Sequence, residues 1–85
     1  MIDPLAADII GIIGSIIFIG AFSYANMAKV MDKLLFNALN LVGAVLLLIS
    51  LSVNFNLAAT VLEVAWGLIA LVGLIAAIRA RKRNA

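Results

Sequence analysis

Glu63 is the residue of this chain whose type and place most invite chemistry. It is the one acidic residue well inside an apolar stretch, with Trp66 and Gly67 three and four positions later on neighbouring parts of one helical face. A carboxylate in hydrocarbon costs free energy unless it is neutral or paired. Glu63 therefore reads either as a proton- or cation-handling group, or as a group that grips a neighbouring helix through a hydrogen bond, with Ser50 or Ser52 as partner. Asn37 and Asn40 form a second polar pair, three residues apart on one face. An amide in lipid must find a partner, which another helix can supply. The alternative role is a polar lining for a solute path. Helix rise places Asn40 and Glu63 roughly 10 Å apart along the membrane normal, too far for one compact site.

Other chemistry is limited by what the chain lacks. It has no histidine and no cysteine, which removes thiolate and imidazole metal ligands, haem ligation through histidine and the commonest general base. Ser15, Ser23, Ser50 and Ser52 have no candidate base beside them. The expectation is a protein that is not an enzyme, with no catalytic, cofactor or metal site.

The elements that must position these residues follow from apolarity. The chain is 85 residues long and 67% hydrophobic, with a mean hydropathy of +1.30. A soluble domain is nearer half apolar, and a chain this short cannot hide the excess in a core. About 20 apolar residues cross a bilayer. Three stretches qualify, at about 5–25, 34–53 and 57–78, giving an all-α membrane protein with a single domain over 1–85. Asp3-Pro4 is a helix-start signal for the first span, and Asn56 an N-cap for the third. Short connections make neighbouring helices antiparallel. The segment Asn26 to Lys33 reads as either a short interfacial helix, with Met27, Val30 and Met31 on one face, or a polar loop continuing the first helix.

All six basic residues fall in two places: Lys29 and Lys33 in the first connection, and Arg79, Arg81, Lys82 and Arg83 in the tail. Positive flanks stay cytoplasmic, so the N-terminus is expected outside and the C-terminus inside. The residues before Leu5 lack a positive n-region, so the first span reads as an uncleaved anchor. The tail is a topology determinant that can also attract lipid headgroups. It is too short, and too poor in aromatics, for nucleic-acid binding.

Gly11, Gly14, Ser15, Gly43, Ala44, Gly67, Ala70 and Gly73 let helices approach closely. Ser15, Ala44 and Gly67 fall near one depth by helix rise. Tyr24, Phe22 and Phe36 suit one membrane interface and Phe55 the other. Trp66 lies deeper, as a packing or contact residue.

The run Leu39 to Ala44, the pair Asn56-Leu57, and Glu63 followed by Trp66 resemble a family of small, uncharacterised three-helix bacterial inner-membrane proteins. Ala58 stands where that family often has proline. The resemblance implies a multi-pass protein of the bacterial inner membrane and no particular activity. The layout is also similar to SemiSWEET sugar transporters, which form homodimers. Their Pro-Gln motif is missing, since the only proline is Pro4 and there is no glutamine. A proton-translocating ATP synthase ring subunit, a two-helix hairpin, does not fit three spans.

Two functions remain in view. The first is an accessory or structural subunit that packs against a membrane-protein partner or forms a homo-oligomer in the lipid bilayer. The second is a homodimeric transporter for an unknown small molecule or ion. Glu63, Trp66, Asn37, Asn40 and Ser15 are the candidate contact residues.

Overall fold

The computed structural model describes residues 2–83. Among them are three helices: α1 (Pro4–Met27), α2 (Lys33–Leu51) and α3 (Leu57–Arg83). Each is long and apolar enough to cross a membrane, and the bundle is 45 Å along its longest axis, the thickness of a bilayer with its headgroups. The chain is a three-helix, multi-pass membrane protein.

Local signals set the helix starts. The Asp3 side chain accepts a hydrogen bond from the Leu5 N–H at 2.8 Å, with Pro4 in the first turn. Asn56 accepts from the Ala59 N–H at 3.1 Å. Asp32 caps α2 by accepting from Leu34 and Leu35. Each cap pairs a backbone donor that the helix itself leaves unpaired.

The ends differ from the expected bounds in three places. α1 runs on to Met27, and residues 28–32 are not helical, so no interfacial helix forms there. Ala28 and Asp32 both adopt extended backbone, which ends one helix and prepares the cap of the next. α2 stops at Leu51 rather than near 53, because the Ser52 hydroxyl donates to the Ile49 carbonyl and the backbone tightens into a turn. α3 continues five residues past 78, through the whole basic run. Apolarity ends at the membrane surface, but Arg, Ala and Lys are good helix formers and carry the backbone on.

The packing of the helices centres on α2. Both α1 and α3 pack along α2, and their backbones do not approach one another. Small residues make the seams. Gly14 sits so close to Gly43 that a Cβ on it would lie 3.1 Å from the Gly43 carbonyl oxygen. Gly67 lies against Ala44 in the same way, at 3.3 Å. Gly73 leaves room for the Asn37 carboxamide, which a Cβ there would overlap. Among the described residues the buried apolar side chains are alanines: Ala7, Ala21, Ala44 and Ala70. With no hydrophobic drive between helices in lipid, close backbone approach supplies the contact area instead. Many large apolar side chains, Ile16, Phe22, Ile69 and Val72 among them, face outward.

Candidate functional site

Asn40 is the buried polar residue of the bundle, 5% exposed. Its amide donates to the Phe36 carbonyl, one turn back, at 2.8 Å. Its carbonyl oxygen accepts from the indole N–H of Trp66 on α3 at 2.9 Å. Trp66 in turn meets Phe18 of α1, ring centres 5.9 Å apart and tilted by 51°. A single chain of contacts thus spans all three helices, from Phe18 through Trp66 to Asn40. It is the side-chain link between α1 and α3, whose backbones stay apart.

An open cleft runs along this link. One part, about 300 Å³, is lined by Phe18, Ile19, Phe22, Phe36, Asn40 and Trp66. A second part, about 140 Å³, lies on the other side of the tryptophan, against Asn37, Ile69 and Ala70. Trp66 stands between them, 46% exposed. Asn37 donates to the Lys33 carbonyl at 2.8 Å and packs on Gly73. The two asparagines therefore have different work: Asn37 fills a notch in the α2–α3 seam, while Asn40 reaches across to Trp66.

Glu63 lies one turn before Trp66 on α3. Its Oε2 is buried and, among the described residues, meets no hydrogen-bond donor. The expected partners are turned elsewhere: Ser52 bonds to Ile49, and the Ser50 hydroxyl lies over Gly11 of α1, 2.6 Å from where a Cβ would be. Ser15 lies one turn before Phe18, its hydroxyl donating to the Gly11 carbonyl at 2.9 Å. Both α1 and α3 run antiparallel to α2, so they run parallel to each other. Ser15 and Glu63 each lie three residues before a member of the Phe18–Trp66 contact, and neither lines the cleft.

A second cluster forms at the end with the basic residues. The Arg81 guanidinium meets both oxygens of Asp32 at 3.1 Å, and the Asp32 N–H donates to the Tyr24 hydroxyl at 2.7 Å. The tail of α3, the cap of α2 and the last turns of α1 are tied together there. Hydrogen bonding from the Leu35 N–H, then Arg81 and Leu34, holds the Asp32 carboxyl below the usual carboxylate range, against a smaller opposing push from partial desolvation. At the other end Asn54 donates to Asp8 at 2.8 Å.

Sequence reasoning singled out Asn40 and Trp66 separately and did not pair them. It assigned Arg81 with Lys29, Lys33, Arg79, Lys82 and Arg83 to topology and headgroups, and did not join it to Asp32. A signal existed: Asp32 stands just before an apolar run, an N-cap position, and Arg81 lies five turns beyond Glu63 on the same side of α3.

Residues 7–82 match the sequence pattern of one family of uncharacterised proteins. No curated protein and no solved structure matches the chain.

Proposed function

This chain belongs to that uncharacterised family, and from that premise we propose that it works by helix packing, as an accessory or structural subunit of a larger membrane complex or as a homo-oligomer. The observation that carries this reading is the open, apolar cleft between α1 and α3, with the indole of Trp66 half exposed in it. A helix seated over the cleft would cover the exposed indole and the apolar side chains that line it. The open cleft and the half-exposed tryptophan both support a role exercised through contact.

The membrane we assign is the bacterial inner membrane, with the N-terminus outside and the Arg79–Arg83 end in the cytoplasm. The support is the placement of all six basic residues at one end of the bundle.

The test is native mass spectrometry of the protein extracted with its lipids from its own membrane. Recovery in fixed stoichiometry with a larger complex, or as a defined homo-oligomer, is the expected result. Recovery as monomer alone, in detergents mild enough to preserve known complexes, would remove the proposal.

A second reading, a homodimeric transporter, draws on the polar groups that α1 and α3 carry, Ser15 and Glu63. Three helices, two of them packed only on the third, enclose no path, so two copies would have to close around these groups. Reconstituted Glu63→Gln protein with unchanged flux of the transported solute would take Glu63 out of that mechanism.

A further inference from the structure

The tail of α3 presents two faces with different chemistry. Residues 63, 67, 70, 77 and 81 follow the side of the helix packed toward α2, and Arg81 at its end meets Asp32. Arg79 and Arg83 lie two residues to either side of Arg81, each about 200° away around the helix axis. They point away from α2. Among the described residues, Arg81 is the arginine of the tail that meets a carboxylate, and Arg79 and Arg83 meet none.

Below these two arginines the same stripe continues as Val72, Ile75 and Ala76. Together the five line a surface recess of about 370 Å³. Val72 is 67% exposed and Ile75 41%. From Val72 to Arg83 the stripe is roughly 16 Å long. It thus begins inside the hydrocarbon and ends at the surface with two cations four residues apart on one face. Guanidinium groups so spaced can hold one phosphate between them with several charge-assisted hydrogen bonds. The apolar part needs a cover that is itself apolar and continuous with that phosphate.

We infer that the stripe Val72, Ile75, Ala76, Arg79 and Arg83 is a binding site for one anionic phospholipid, its phosphate on the two arginines and an acyl chain along the apolar recess. The inference stands apart from any protein partner in the α1–α3 cleft, because the stripe lies on the side of α3 turned away from α2. It also separates the arginines by role. Arg79 and Arg83 hold the lipid. Arg81 holds the bundle end together through Asp32.

The experiment is lipid titration of delipidated protein in detergent, read by native mass spectrometry, with phosphatidylglycerol as probe and phosphatidylcholine as the neutral control. One phosphatidylglycerol is expected to remain bound where phosphatidylcholine does not. Each positive charge removed from the site is expected to weaken binding about fivefold, so R79Q/R83Q should lose more than tenfold. K29Q/K33Q removes two charges at the same end of the bundle and should change binding less than twofold. Equal losses in the two double variants would overturn the site, because binding would then follow diffuse charge. Inorganic phosphate at the lipid's concentration is expected not to bind. Phosphate binding as tight as the lipid's would also overturn the proposal, since the apolar recess would have no part. Helix content by circular dichroism, unchanged in both variants, guards against unfolding as the cause.

Discussion

Asn40 makes its hydrogen bonds where water does not reach, and that defines its part in the structure. Its oxygen pairs with the Trp66 indole and its amide with Phe36. Replacing either partner leaves the other unpaired. A double-mutant cycle of Asn40→Leu and Trp66→Phe, followed by reversible unfolding in mixed micelles, should give a coupling of about 0.6 kcal/mol and no more than ~1.7 kcal/mol, the range of interhelical side-chain bonds in lipid. Zero coupling would mean that the bond carries no stability. Asp32 carries a different prediction. Its carboxyl is held below its ordinary value of 3.8 by the Leu35 N–H, then by Arg81 and Leu34. A group whose folded pKa is depressed stabilises the fold above its unfolded pKa and loses that contribution as the pH falls through the folded one. Wild-type protein should therefore lose more stability than Asp32→Asn on acidification from pH 6 to below about 3.8. Parallel acid-unfolding curves for the two proteins would contradict this. At this scale the sequence was only partly legible. The polar residues stood out because each is costly in lipid. Their pairing depended on helix rotation, which a nearly uniform apolar sequence does not encode in its periodicity.

The helices themselves were legible, since length, apolarity and the capping residues Asp3 and Asn56 are local properties. Their ends were less so: Ser52 stops α2 through its own hydroxyl, and α3 runs on because basic residues favour helix as well as apolar ones do. The seams between helices depend on small residues, and not all glycines share in them. A Cβ on Gly43 would lie 2.6 Å from the Phe18 ring. Gly43→Ala must push that ring off its place beside Trp66, at a cost of about 1–3 kcal/mol, typical of overpacking. Gly20 has open space where its Cβ would be, and Gly20→Ala should change stability by less than about 0.5 kcal/mol. The protein has one tryptophan, so its emission reports the seam directly. A shifted spectrum in Gly43→Ala and an unshifted one in Gly20→Ala is the expected outcome, and the reverse would place the α1–α2 contact elsewhere.

The whole molecule is built around α2, with α1 and α3 packed on it and not on each other. That arrangement buries alanine and glycine, leaves many large apolar side chains facing outward, and opens a cleft between α1 and α3 beside Trp66. Lipid or a partner helix can cover that apolar surface. Single cysteines introduced at position 2 and at position 29, on either side of α1 in a chain with no cysteine of its own, should label from opposite sides of the membrane. Labelling of both from the same side would rule out the three-span arrangement in that membrane.

The most direct test of the account is photo-cross-linking in the native membrane from position 19, on the α1 side of the cleft, with position 72 on the outward stripe of α3 as control. A partner helix in the cleft predicts a discrete protein adduct from position 19, to a second copy or to a larger subunit, and lipid adducts alone from position 72. Lipid adducts alone from both positions would mean that the cleft holds no protein, and would contradict the proposed role.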